Sequence, residues 1–339
     1  MRTAGLVDLQ VNGFAGVDFN DAKLTPQALD HALEAMLASG VTTCLPTLIT
    51  ATPEDLAARF AALDRAVAES RLGPAMCPGY HLEGPFLNDA PGFRGCHPFE
   101  AMRDPDAALV ERLAAGLKRP ILLVTCAPER AGGVAFVRAM AAAGRVVAIG
   151  HAHVDFAIAA AAAAAGASLS THLGNGLPQQ MHKLDNPVFA QLAEDRLSAC
   201  FIADGIHLPP LALKALIRAK GVARSILVTD AVAGAAAAPG LYQLAGMAVE
   251  RDAAGAMRLP GATTLAGSAL TLDQAVRNVV GWGFVTREEA IAMASAQPLA
   301  ALARALAAQG VAPAAGEVTW TDELRVAAAR VGDVERRFS

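Results

Sequence analysis

Glu83, His151 and His172 offer one carboxylate and two imidazoles, a donor set suited to Zn²⁺ or another borderline divalent cation with one coordination position left for water. Asp230, in the run ILVTDA, adds a second carboxylate that could take a proton from an activated water and pass it to a leaving nitrogen. His97 in RGCHP, Asn175 in THLGNG and His207 in ADGIHLP could donate to a polar ligand. Taken singly, each has a plainer reading: a core or solvated histidine, a turn glutamate beside Gly84-Pro85, an N-cap or Asx-turn aspartate. His81 in YHLEG has no assignable role, and His153, two residues beyond His151, only imitates a metal-binding H-x-H pair. What gives the set weight is its placement, because most of these residues follow a short apolar run.

Eight such runs alternate with helix-length amphipathic segments, the pattern of βα units that build a parallel sheet. They are Gly5–Val11, Val41–Leu45, Cys77–Leu82, Ile121–Thr125, Val146–Gly150, Ser168–Thr171, Leu197–Ala203 and Ile226–Thr229. Between them, Thr25 before Pro26 and Thr52 before Pro53 are start signals for helices over Pro26–Ala38 and Pro53–Glu69. Eight units suggest a (β/α)8 barrel, although periodicity alone also permits an open doubly wound sheet. In a barrel, Gln10 and Asn12, Pro46 and Thr47, Glu83, His151, His172, Asp204 and His207, and Asp230 all converge on the face where such barrels carry their active sites. Gly261–Ser268 reads as a Gly-rich loop, and it lacks the Lys of a P-loop.

The chain of 339 residues is 54% hydrophobic and 18% charged, enough to bury one large core or two smaller ones. A net charge of −4 and a pI near 6.1 exclude a general basic surface for nucleic acid and give no reason to expect a membrane partner. Five cysteines with no CxxC pair make no disulfide framework, so a reducing compartment, the cytoplasm, is expected. The mean hydropathy of +0.36 comes from Ala-rich stretches interrupted by polar residues, not from a membrane span.

The ordered set GLVDLQVNG, GVTTCLPTLIT, GYHLEGPFLN, IGHAHVD, THLGNG, IADGIHLP, LVTDA and LAGSALTLDQAVRN resembles the N-acetylglucosamine-6-phosphate deacetylases of the amidohydrolase superfamily, from about residue 5 to residue 300. The resemblance implies a metal-dependent (β/α)8 TIM-type barrel with a small β domain, and commonly a homodimer. It implies that Glu83, His151 and His172 bind one divalent metal ion, Zn first, with Fe, Mn or Co able to fit the same donors, and that Asp230 is the catalytic acid and base. His97, Asn175, Gly176 and His207 would contact the phosphosugar, and Leu265, Ala266 and Gly267 would close over it. The implied reaction is hydrolysis of N-acetylglucosamine-6-phosphate to glucosamine-6-phosphate and acetate.

Three departures bear on this. Many amidohydrolases end the first strand in H-x-H and hold a second metal there, whereas Gln10-Val11-Asn12 predicts a single ion. Where the family carries a phosphate-binding Arg, this chain has His182 and Lys183, and a point-charge Lys gives up part of a bidentate contact worth about 1.5–3 kcal/mol. Finally, the first strand begins near residue 5 and the tail GEVTWTDELRVAAARVGDVERRFS is short, so residues 1–310 are expected to form the barrel and 311–339 a remnant of a reduced or absent small β domain. The alternatives are an amidohydrolase acting on a different N-acyl sugar or amide without phosphate, and a non-catalytic sugar-phosphate-binding homologue.

Overall fold

The computed structural model describes residues 1–338. Eight parallel strands follow one another in chain order around a single sheet: Leu6–Val11, Val41–Ile49, Tyr80–Glu83, Ile121–Cys126, Val146–Ile149, Ala167–Ser170, Ser198–Ile202 and Ser225–Val228. These are the eight runs singled out in the sequence. Beyond the eighth strand the chain returns to the first: Asp230 N–H donates to the Gln10 carbonyl at 2.9 Å, and Val11 bridges Ala231 in parallel. The sheet thus closes into a barrel, and its strands are buried on both faces, as a parallel sheet covered by helices requires.

The helices begin where their caps dictate. Thr25 accepts from Ala28 N–H ahead of the helix Pro26–Ala38, and Thr52 accepts from Asp55 N–H ahead of Pro53–Glu69. Asp155 caps the Ala-rich helix Phe156–Ala165, which Gly166 ends in a left-handed conformation. The apolar stretch Arg287–Ala308 is long enough to cross a membrane, but it is half buried and divided into two helices, Arg287–Met293 and Ala296–Ala308.

Besides a two-stranded hairpin, Gly13–Phe14 with Val17–Asp18, two four-stranded antiparallel sheets complete the molecule. One follows the eighth barrel strand and contains Gly240–Leu244, Met247–Arg251, Ala256–Arg258 and Leu265–Ser268. The Gly-rich segment expected to be a loop therefore ends in a strand, whose partner Ala256–Arg258 is too short to show a periodic sequence pattern. The other sheet joins the chain ends, pairing Arg2–Ala4 with Gly316–Trp320, then Val326–Val331 and Val334–Arg337. A small β layer is thus present in reduced form. Of the tail 311–339, only Ser339 lies outside the described residues.

Candidate active site

The C-terminal ends of the barrel strands surround a cavity of about 390 Å³, a size suited to a small-molecule ligand. Glu83 ends the third strand, His151 lies just beyond the fifth and His172 just beyond the sixth, all nearly inaccessible to solvent. The Nε2 atoms of His172 and His151 stand 3.1 and 3.4 Å from the same oxygen of Glu83. Donors around a tetrahedral Zn²⁺ with bonds near 2.0–2.1 Å sit roughly 3.3 Å apart, so these spacings fit a shared cation. His151 Nδ1 donates to the Phe93 carbonyl at 2.6 Å, which leaves Nε2 as the lone pair aimed at Glu83. His172 Nδ1 is buried with no partner.

Burial alone would raise the Glu83 carboxyl, but the imidazoles packed against it, His151 and His172 first and then His97, outweigh it and hold Glu83 well below the usual carboxylate range. Burial lowers His172, yet its bond to Glu83 and the charges of Glu83 and Asp230 more than restore it, so the net shift is upward. An anionic carboxylate between imidazoles is an environment that stabilises a cation.

His97 stands closer to this cluster than its loop position suggested. Glu83, His97 and His151 each present a ligand atom within 4.8 Å of the others, so His97 is a second candidate for the third position beside His172. Its Nδ1 is 2.8 Å from Thr50 Oγ1. Burial, then the neighbouring imidazole of His151, pushes its pKa down to about 3, so the ring is neutral and can donate or accept.

Asp230 follows the eighth strand. Its Oδ1 accepts from Asn12 Nδ2 at 2.8 Å and from Gln10 Nε2 at 3.1 Å. Burial and the charge of Glu83 push its pKa up to about 6. One layer deeper, the fully buried Asp8 accepts from Thr229 N–H at 3.2 Å and from Thr229 Oγ1 at 2.5 Å, fixing the residue before Asp230. Burial pushes Asp8 up to about 7. His151, His172 and Asp230 all adopt positive φ, +50°, +26° and +50°. For residues other than glycine this conformation costs of order 1–3 kcal/mol each and is concentrated at functional sites.

The remaining wall includes Asn175, Gly176 and His207, together with Leu265 and Gly267. His207 Nδ1 is held 2.6 Å from Asp204, and Asn175 Nδ2 donates to the His172 carbonyl at 3.1 Å. Gly176 lies against the His151 ring, where an added Cβ would come 2.4 Å from Nδ1. Ala266 is not brought to the cavity: strand alternation turns it into the apolar cluster of Ile49, Val232, Leu244, Val249 and Met257. Lys183 and His182 are exposed and also lie outside the cavity wall, and His182 Nδ1 accepts from Asp185 N–H at 2.9 Å. Among the described residues, no Lys or Arg lines the cavity.

Sequence reasoning noticed Gln10 and Asn12 without placing them on Asp230, and it missed Asp8, Thr50, Cys96, Thr263 and Thr264. The i, i+2, i+4 spacing of Asp8, Gln10 and Asn12 was the available signal, since alternation puts all three on one face of the first strand. Cys96 lines the cavity, but burial and the charges of Asp230 and Glu83 push its thiol up to about 12, so it is not a nucleophile. His81 is hydrogen-bonded to Thr125 Oγ1 at 2.8 Å and lies 3.3 Å from Thr47 Oγ1, and burial holds it neutral with a pKa of about 4.

Comparison with known proteins gives a consistent set of relatives. The Amidohydrolase family model matches residues 1–306. An N-acetylgalactosamine-6-phosphate deacetylase of Escherichia coli O157:H7 is 35% identical over 90% of this chain and 78% of its own length. An N-acetylglucosamine-6-phosphate deacetylase of Bacillus subtilis is 32% identical over 72% of this chain, a match spanning 61% of the Bacillus protein. Among solved structures, the N-acetyl-D-glucosamine-6-phosphate deacetylase of Mycobacterium smegmatis superimposes with a TM-score of 0.85 at 31% identity, covering 97% of this chain and 86% of that one. The Pasteurella multocida enzyme of the same name gives 0.86 at 26% identity over 99% and 86%.

Proposed function

Because this chain belongs to the amidohydrolase family, among the deacetylases of N-acetylated amino-sugar phosphates, we propose that it hydrolyses the N-acetyl group of N-acetylglucosamine-6-phosphate, giving glucosamine-6-phosphate and acetate. The observation that carries the reading is the pairing of a cation-ready Glu83, His151 and His172 with a separately held, buried Asp230 in one cavity. A binding protein without chemistry has no use for a strained carboxylate held beside such a set. The N-acetylgalactosamine relative makes the galacto epimer the second reading.

A single divalent ion on Glu83, His151 and His172, Zn²⁺ first and Fe²⁺, Mn²⁺ or Co²⁺ by the same donor chemistry, would polarise the acetyl carbonyl and acidify the attacking water. Asp230 accepts the proton as the water oxygen bonds to the carbonyl carbon, then returns it to nitrogen as the carbon–nitrogen bond breaks. The atoms balance as amide plus water to carboxylic acid plus amine. His97 and His207 orient the sugar and carbonyl from the loops, Asn175 and Gly176 line the sugar side, and the strand Leu265–Ser268 covers it. The domain boundary is assigned to residue 310, with the barrel before it and the remnant of the small β domain after it, except that Arg2–Ala4 pairs with the remnant.

Phosphate recognition is assigned to Lys183, with His182 beside it: both stand outside the cavity wall, but on the segment whose Leu177, Pro178 and Gln179 line it. Met181, Leu184 and Phe189 leave apolar surface around it, which supports a homodimer. A cytoplasmic location fits the five free thiols.

The test is acetate release from N-acetylglucosamine-6-phosphate, its galacto epimer and both unphosphorylated sugars, with metal and oligomer size measured on the same sample. Release that depends on phosphate, at about one ion per chain, is expected. Lys183→Ala then raises KM for the phosphorylated sugars alone. Turnover of unphosphorylated sugars with equal efficiency overturns the phosphate assignment, and no release from any of the four overturns the deacetylase reading.

A further inference from the structure

Asn12 stands at the end of the first barrel strand, in the cavity wall and almost wholly buried. Its Nδ2 donates to Asp230 Oδ1, while its own Oδ1 is buried and has no hydrogen-bond partner. Turning the amide over would set its carbonyl against the carboxylate, so the bond to Asp230 fixes which end of Asn12 is left free. An unpaired buried acceptor is costly, and in a native site it calls for a reason. Gln10 Nε2 occupies the same Oδ1 of Asp230. Among the described residues no hydrogen bond reaches Asp230 Oδ2.

We propose that Asn12 joins Asp230 to the scissile amide: Nδ2 holds Oδ1 of Asp230, the free Oδ1 of Asn12 accepts the N–H of the substrate's N-acetyl group, and Oδ2 of Asp230 carries the proton. The inference rests on the amide-hydrolysis reading above. A secondary amide brings one N–H donor against a buried wall of the cavity, and that donor needs an acceptor. Placing the acceptor on the residue that grips the proton carrier fixes the nitrogen's orientation relative to Oδ2. The proton then moves from Oδ2 to the nitrogen lone pair while the carbon–nitrogen bond breaks, and the N–H held by Asn12 stays on nitrogen. The other titratable groups around Asp230 are Glu83 from the third strand, His172 after the sixth, His207 after the seventh, Cys96 on its loop and Asp8 one layer below. None of them hydrogen-bonds to the carboxylate oxygens of Asp230 among the described residues, so the two amides alone hold it.

The test uses metal-loaded protein and N-acetylglucosamine-6-phosphate labelled with ¹⁵N in the amide. Bound to Asp230→Asn, which retains substrate without turning it over, the N–H proton resonance reports the acceptor. Adding Asn12→Leu is expected to move that resonance upfield. In the active protein, Asn12→Leu is expected to lower kcat/KM by about 10- to 100-fold, the loss of one hydrogen bond to a charged or reacting group, with metal content nearly unchanged. Gln10→Met removes only the second donor to Asp230, so it moves the acid limb of kcat/KM to higher pH and leaves the N–H resonance in place. Asn12→Asp, of equal size, keeps an acceptor oxygen but no donor, so it retains the N–H shift while its acid limb rises. An N–H resonance unmoved by Asn12→Leu, or lost in Asn12→Asp, overturns the proposal. Failure of the unmodified protein to release acetate from any N-acetyl amino sugar overturns the hydrolysis reading instead.

Discussion

At the scale of single residues, Asp230 has two requirements that pull apart. It must be ionised to take a proton from water, yet basic enough to hold that proton until the amine departs. Burial and the negative charge of Glu83 raise it to about 6, while the amide of Asn12 favours its charged form. The sign for activity follows: the base form is lost as pH falls through this pKa, and a divalent cation nearby favours the ionised form and lowers the value. The acid limb of kcat/KM is therefore expected at or below about pH 6, with a tenfold loss per unit beneath it, as a pH–rate series will show. Asp230→Asn should lower kcat by about 10²- to 10⁴-fold with metal content unchanged. A variant that keeps normal turnover would remove Asp230 from the mechanism. The sequence made these residues legible because a carboxylate or imidazole after an apolar run has few structural uses. It could not show that Ala266 faces an apolar cluster, or that His97 reaches Glu83 and His151, because both depend on the turns that carry them.

At the scale of elements, the site is a set of strand ends whose last residues are bent out of the strand. The loop that follows the third strand contributes twice: its Phe93 carbonyl fixes the His151 tautomer, and His97 enters the cavity. The loop is itself held from the fourth strand's end, where Glu129 accepts from Asn88 Nδ2 at 2.9 Å and from His153 N–H at 2.5 Å. His153, tempting as a second ligand in the sequence, is thus used through its backbone, with its ring stacked 4.9 Å from Phe93. From the other side Gly176, at φ +61°, closes against the same His151 ring. Gly176→Ala forces a methyl group into Nδ1 in a backbone conformation that L-residues resist. It is expected to weaken metal binding by about 10- to 100-fold, the usual cost of disturbing a ligand's supporting shell, as chelator competition will show. Affinity equal to that of the unmodified protein would mean that His151 is not positioned by this contact. Strands and helix starts were readable because periodicity and caps are local, whereas the sheet over Gly240–Ser268 escaped notice because its first two strands are largely exposed and lack the continuous apolar run of the buried barrel strands.

At the scale of the whole molecule, the question is what covers the barrel wall beside the first and second strands. The answer joins the two ends of the chain. Met1 N–H donates to the Trp320 carbonyl at 3.0 Å, Trp320 N–H donates back to the Met1 carbonyl at 2.8 Å, and the Trp320 indole donates to Thr3 Oγ1 at 2.9 Å. Val318, Trp320, Leu324, Val326, Ala329 and Val331 are continuous with the main core. The tail is therefore part of the barrel's cover and not a loose appendage, and it pairs with Arg2–Ala4, directly ahead of the first barrel strand, whose far end carries Gln10 and Asn12. Trp320→Ala leaves a cavity where a large ring was buried and removes the cross-terminal hydrogen bond. The expected loss is about 3–5 kcal/mol, a large share of the roughly 5–15 kcal/mol by which such proteins are stable. Thermal melting of the metal-loaded protein should show a clearly lower midpoint. Since the small sheet lies away from the cavity, residual activity per folded molecule at low temperature should remain near that of the unmodified protein. A variant that melts normally would mean that the barrel stands without its terminal sheet, and one that stays folded but loses activity would mean that the first strand transmits strain from Trp320 to Asp230.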